Sequence, residues 1–244
     1  MAGETIKTEA ICLDIRPWSQ TSHVVSWLTP NGKLMTVVKG AVRPKSSFLG
    51  QYDLNYTCEI LYYARAKGDL HALRDCVPLD VRERLRSNYK ALALAGYFRQ
   101  LAGELAPSGP DCSAWYRLLS SSLTTLNSQL TTSPPLPSSL IAFELDILRL
   151  SGLSPDFSGY DPSAEWSSFS VETGSFGATE GRCIRISREV AAYLMHPLRP
   201  VNNSQIPLDA ARVIGVFYQF HVDCSLDARR TVLGMISQTK ESNG

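Results

Sequence analysis

The apolar pattern changes period at Pro78, and that change constrains the fold more than any other feature of the chain. Before Pro78 apolar residues alternate, as in half-buried strands; after it they recur every three or four positions, as on one face of a helix. Five runs precede the change. TEAICLDI sets Ile11, Leu13 and Ile15 on one face. HVVSWLT and KLMTVVKG flank Pro30-Asn31-Gly32, and Asn-Gly between apolar runs predicts a hairpin because both residues tolerate positive φ. DLNYTCEILYY keeps Leu54, Tyr56, Cys58 and Ile60 in step, and Lys67-Gly68-Asp69 turns the chain into LHALRDCVP. Five short antiparallel strands in about 75 residues suit a small closed barrel, since closure removes exposed edges.

Beyond Pro78, VRERLRSNYKALALAGYFRQLAGEL places Leu85, Tyr89, Leu92, Gly96 and Leu101 near helical spacing, and Pro107 stops it. SAWYRLLSSSLTTLNSQL repeats with Trp115, Leu119, Leu123, Leu126 and Leu130. TTSPPLPSS reads as a linker and SLIAFELDILRLSG as a helix ending at Gly152. Residues 153–182 are rich in Ser, Gly, Asp and Glu; turns are expected there, with a β-hairpin across SSFSVETGSFGA. Helix returns at SREVAAYLMH, LDAARVIGVFYQFHV and LDARRTVLGMIS, and the residues after Gln238 read as a disordered tail. The expected organisation is a barrel domain over 1–80 and a helical domain over 81–244, with 153–182 as a turn- and β-rich insert.

Several functional classes find no support. The chain has no G-x-x-x-x-G-K-[ST], G-x-G-x-x-G or G-x-S-x-G motif. His23, His71, His196 and His221 are scattered and read as structural or surface residues. Glu144 and Asp146, two apart on a helix, point to different faces and read as solvated or helix-pairing acids. Cys12, Cys58, Cys76, Cys112, Cys183 and Cys224 lack the close pairing of a structural zinc site and read as small buried hydrophobes. No apolar run of 18 residues occurs, and the acidic start MAGETIKTEAICLDIR lacks the apolar core of a signal peptide. The expectation is a non-enzymatic cytosolic protein without a cofactor or bound metal.

What the sequence does offer is a cationic loop. Formal net charge is only +1, yet eight Lys/Arg face three Asp/Glu between Arg16 and Arg74, whereas Leu140–Glu180 holds one Arg against seven acids. In VVKGAVRPKSSF, Lys39, Arg43 and Lys45 surround Gly40 and Pro44; such broken backbone stays at the surface, and no acid lies within the loop to neutralise it. A small barrel with a cationic loop suits single-stranded nucleic acid: cations track phosphates and aromatics stack on bases. Trp18, Trp27, Phe48, Tyr52, Tyr62 and Tyr63 are candidate platforms, with about two of them expected to face solvent and the others to fill the barrel. Arg65 and Lys67 could extend the track, and Arg82, Arg84, Arg86 and Lys90 form either its continuation or an ordinary solvated face.

The chain resembles the RecO family of bacterial recombination mediators. The resemblance rests on IRPWSQTSHVVSWLTPNGKLMTVVKGAVRPKSSFLGQYDLNY, with its R-P-W turn, hairpin and K-G-A-V-R-P-K-S loop, on KGDLHALRD, and on FELDILRLSGLSPDF. It is specific over residues 11–80 and 140–157 and loose after 160. It implies an α+β chain: an N-terminal five-stranded OB-fold β-barrel followed by an α-helical domain. It also implies DNA-binding positions at Lys39, Arg43 and Lys45, with Arg16 a weaker carry-over. Many members bind zinc through two C-x-x-C pairs after this L-x-P-D-[FL] segment. Here those pairs would fall near Tyr160 and Ser163 and near Ala178 and Gly181, and none is cysteine. The insert is therefore expected to be a degenerate, zinc-less zinc-finger-like segment, packed by Tyr160, Trp166, Phe169 and Phe176.

The implied activity is binding of single- and double-stranded DNA, annealing of complementary strands and, with RecR, loading of RecA on protein-coated single strands, in the cytoplasm at the nucleoid. The implied partners are RecR and the acidic C-terminal tail of single-stranded DNA-binding protein. A receptor for that tail needs an apolar wall with a cationic rim; Val213, Val216, Phe217 and Phe220 could form the wall and Arg212, Arg229 or Arg230 the rim, although the apolar set could equally be core. Two other readings stay open at this point: an RNA-binding OB-fold adaptor protein, and an enzyme assembled from distant residues.

Overall fold

A computed structural model describes residues 4–65, 68–109, 112–128, 136–223 and 226–237. Contacts divide the chain into two compact units, 1–88 with 98–128 and 89–97 with 129–244.

The first unit is built on a closed barrel of β1 (Thr5–Ser19), β2 (Ser22–Thr29), β3 (Gly32–Val38), β4 (Thr57–Tyr63) and β5 (Leu70–Asp80), hydrogen-bonded in the order β1-β2-β3-β5-β4. The expected barrel is present, with one change of pairing: β3 and β5 run parallel over Met35–Val37 and Leu70–Ala72. A closed five-strand Greek-key barrel needs this one parallel seam, which short-range alternation does not reveal. The hairpin forms between Thr29 and Gly32, but its positive φ falls on Gly32 (132°) and Asn31 is not left-handed; the Thr29 hydroxyl accepts from Asn31 N–H (3.1 Å) and donates to the Gly32 carbonyl (2.8 Å).

Trp27 fills the barrel centre with Cys12, Val25, Ile60, Tyr62 and Leu73, its indole N–H donating to Thr36 Oγ1 at 2.9 Å. The expected inward face of β1 is overturned. A β-bulge at Leu13 shifts the register, so the interior takes Ala10 and Cys12 before it and Ile15 after it. Because strand period is two, one inserted residue moves every later side chain to the opposite face. Ile11 and Leu13 are buried outside the barrel, Leu13 against Gly103. Leu54 sits in the turn before β4 and is exposed.

A 3-10 turn (Glu83–Ser87) precedes α1 (Tyr89–Leu105), and extended Asn88 separates them. The interruption resets the helical phase. Tyr89 and Leu92, expected inside, are exposed; Leu85 and Leu101 are buried as expected, joined by Leu94 and Phe98. α2 (Ser113–Ser128) buries Trp115, Leu119, Leu123 and Leu126 as expected; Leu130 lies outside the described residues. Arg82 belongs to neither a track nor a solvated face. It is 2% exposed, left-handed, and donates to the Asn55 carbonyl (2.5 Å) and Thr57 Oγ1 (2.9 Å), with Asp80 at 3.4 Å.

The second unit holds α3 (Leu136–Leu150), β6 (Trp166–Ser170), β7 (Cys183–Ser187), α4 (Arg188–Met195), α5 (Gln205–His221) and α6 (Asp227–Ser237). Gly152 at φ 72° terminates α3, with Leu153 N–H donating to Leu148 O. Glu144, a helix-pairing acid as one reading had it, is fully buried and takes Arg229 Nε (2.7 Å), Arg229 Nη2 (2.9 Å) and Tyr97 OH (2.7 Å). In the insert the main ladder pairs β6 with β7, and Phe169 and Phe176 make only an isolated bridge. Phe157, Tyr160, Phe169 and Phe176 cluster with ring centroids 5.6–6.4 Å apart. Trp166 stands outside that cluster, 47% exposed beneath Arg185. Four of the cysteines are buried as read; Cys183 is exposed, and Cys224 lies outside the described residues.

Candidate nucleic-acid interface

The cationic loop projects because the chain is pinned on both sides of it. Ala41, 3% exposed, inserts into the barrel core, and Phe48 and Tyr52 pack against the same core. Tyr52 OH hydrogen-bonds His23 Nδ1 (2.8 Å), and burial holds its phenol above the ordinary range. Between the pins, Val42 to Lys45 turn outward through Arg43 N–H to Gly40 O (3.1 Å) and Ser46 N–H to Arg43 O (2.9 Å). Gly40 is left-handed (φ 67°), and a side chain there would press on Arg43 Cδ at 3.3 Å. Val42 N–H reaches Thr21 O (3.3 Å), tying the loop to the β1–β2 turn.

That tie assembles a cleft of about 470 Å³ lined by Trp18, Val37, Lys39, Gly40 and Arg43. Trp18 sits at a second register shift, between Pro17 and Ser19, and is 62% exposed. Lys39, Arg43 and Lys45 are exposed, and among the described residues none is ion-paired. Of the six candidate platforms, Trp27 and Tyr62 are interior, Phe48 and Tyr52 half-buried, and Trp18 and Tyr63 open.

Other expected positions stand apart from this cleft. Arg16 faces outward in register with Val24 and Val37, but its Nε pairs with Asp14 at 2.5 Å. Arg65 is exposed on the β4–β5 connection, its backbone N–H donating to His71 Nδ1 (3.2 Å); Lys67 lies outside the described residues. Arg86 is occupied by Asp53 and Tyr56 OH, both at 2.8 Å. Sequence reasoning missed Arg74, which lies over Tyr63 at 5.7 Å on the outer face. It is exposed at the β4–β5 register shift, between inward-packed Leu73 and Cys76, a break that alternation in the sequence does not mark.

The partner-tail positions separate. Arg229 is 5% exposed and held by Glu144 and the Ala211 carbonyl, and Phe217 is core, so neither edges a surface pocket. Val213 is buried and Phe220 is 50% exposed. Arg212 and Arg230, paired with Asp209 (2.5 Å) and Asp227 (3.1 Å), flank a small dimple of about 280 Å³ lined by Leu208 and Leu233. Among the described residues no three His, Cys, Asp or Glu side chains are grouped to hold a metal, and no helix is long and apolar enough to cross a membrane.

Two family models match the chain. One described as "Recombination protein O N terminal" covers residues 1–82, and one described as "Recombination protein O C terminal" covers 86–230. Curated relatives carry the name DNA repair protein RecO. That of Alkaliphilus metalliredigens is 28% identical over 176 residues, 69% of this chain and 69% of the relative. Those of Roseiflexus sp. and Moorella thermoacetica are 26% and 31% identical, over 74% and 61% of this chain and 61% and 54% of the relatives. The matched region thus spans between 54% and 69% of these relatives' length.

Proposed function

The chain belongs to the RecO family, and from that premise we propose that it is a DNA-binding recombination mediator in DNA repair that acts without catalysing a covalent step. The barrel domain, 1–80, holds single- and double-stranded DNA through Lys39, Arg43 and Lys45, with Trp18 as the stacking surface, Arg65 and Arg74 at the margin, and Lys67 as a further contributor of charge. Strands held mainly by phosphates and stacking leave most of their pairing edges free, which is what annealing requires. With RecR, the protein helps RecA replace single-stranded DNA-binding protein. The helical domain, 81–244, takes that protein's acidic, apolar-ended tail in the Leu208–Leu233 dimple between Arg212 and Arg230.

The observation that carries this reading is the juxtaposition of exposed Trp18 with unpaired Lys39 and Arg43 in one cleft. The test is annealing of complementary oligonucleotides coated with the cognate single-stranded DNA-binding protein, with and without its tail. Tail-dependent annealing is expected. Annealing that ignores the tail would remove the partner role, and preferential binding of RNA over DNA in competition would favour an RNA-binding adaptor.

A further inference from the structure

A second cleft of the barrel unit, of about 700 Å³, lies between β1, β2 and β3, the start of β5 and the second half of α1. Its size lies within the roughly 300–1,000 Å³ of small-molecule sites. Met35, 40% exposed, supplies the open apolar surface, while Leu34 beside it packs against the barrel core. Around it stand Arg16, Lys33, Arg99, Ser26, His71 and Gln100 as donors and Asp14, Asp69 and Glu104 as acceptors.

The donors are unusually placed. Lys33 Nζ donates to the Gly103 carbonyl (3.1 Å) and Arg99 to the Leu13 carbonyl, so both cations are held by neutral groups. Burial lowers the Arg99 pKa, and the nearby Asp14 carboxylate offsets this only in part. His71 Nδ1 accepts the Arg65 N–H, which fixes its proton on Nε2 and makes that atom a donor. The acceptors do not cancel this: Asp14 takes Arg16, and Glu104 takes the Gln100 amide at 2.9 Å. A groove for phosphates alone would be uniformly cationic. An apolar surface with both donors and acceptors around it suits a group with a flat face and a mixed hydrogen-bonding edge, which describes a nucleobase.

The cleft also lies on the path of a bound strand. Val37 lines the Trp18–Lys39–Arg43 cleft and Met35 lines this one, two residues along the same face of β3, about 7 Å apart. Arg16, level with Val37 and Val24, stands at the boundary. We propose that this second cleft takes one unstacked base of the single strand that the cationic loop holds, with Met35 against its face and the His71, Lys33 and Asp69 groups at its edge. The inference rests on the single-strand reading of the barrel.

The test is a thermodynamic cycle with the full chain and an oligothymidylate of about twelve nucleotides, inside the roughly 4–16 that one OB-fold occupies. A single abasic position is scanned along the strand. For the unaltered protein one position should weaken binding roughly fivefold, the low end of a stacking loss. Met35→Ala should cost the same factor with intact DNA and nothing further with that abasic strand. Gly103→Leu, which fills the cleft, should abolish the position dependence while salt-dependent binding persists. Binding that is strong but indifferent to every abasic position and to Met35→Ala overturns the base pocket alone. Absence of salt-dependent binding to the intact strand overturns the single-strand reading instead.

Discussion

Gly215→Ala opposes two effects of known size. In the interior of α5 this change ordinarily stabilises by about 1 kcal/mol, because glycine loses more backbone freedom on folding. Here the new Cβ would fall inside van der Waals contact of Arg229 Nη1, with Cζ at 3.0 Å. An arginine end normally swings aside. This one is 5% exposed and donates to both Glu144 oxygens and to Ala211 O. Burial opposes the charge of Arg229, but the Glu144 carboxylate outweighs it and raises the pKa above the ordinary value. Breaking a buried pair costs about 3–5 kcal/mol, because one charge is left without its partner. The net expectation is a loss of about 3 kcal/mol, or a melting point lower by roughly 6–12 °C for a chain of this size. Gly96→Ala is the control: it is in α1, and a Cβ there meets nothing within 4 Å. It should be neutral or stabilising. Urea unfolding followed by circular dichroism reads both variants, and a stabilised Gly215→Ala would show that Arg229 is not pinned by Glu144 as described.

Trp18→Ala should weaken single-strand binding by about 1–3 kcal/mol with little change in melting point, since the ring is mostly solvated; equal affinity in a filter or anisotropy titration would remove it from the interface. Arg82→Ala should destabilise the barrel by about 2–4 kcal/mol, leaving the Asn55 carbonyl without its buried donor, yet keep the salt dependence of DNA binding; a shallower salt slope would return Arg82 to the phosphate track. The purified protein should hold no stoichiometric zinc, and chelators should leave its melting curve unchanged, because the insert packs through Phe157, Phe169 and Phe176; one equivalent by elemental analysis contradicts this.

The barrel was legible because alternation within each strand is a local property, and the Pro30-Asn31-Gly32 turn marks its hairpin. What escaped depends on distant partners. The bulge at Leu13 leaves no mark in an unbroken apolar run, yet it decides whether Cys12 or Leu13 faces inward. Arg82 looks like its neighbours Arg84 and Arg86, and only the approach of Asn55 and Thr57 makes it a buried tether. Asn88 broke a pattern that read as one helix, so Tyr89 and Leu92 were placed inside although Leu85 and Leu101 came out right. The loop cations were readable from Gly40 and Pro44 alone. Their meeting with Trp18 was not, because it follows from the Val42–Thr21 hydrogen bond across two turns.

The salt dependence of single-stranded DNA affinity tests the central claim most directly. With about four phosphates neutralised, by Lys39, Arg43, Lys45 and Arg65, log K should fall against log salt with a slope near −3. Replacing Lys39, Arg43 and Lys45 together by Ala should flatten that slope by about 2 while the fold persists, since exposed loop substitutions usually cost under about 0.5 kcal/mol. A slope that stays the same in the triple variant, or a flat titration of the unaltered protein, would contradict the assignment of this loop as the phosphate-binding element.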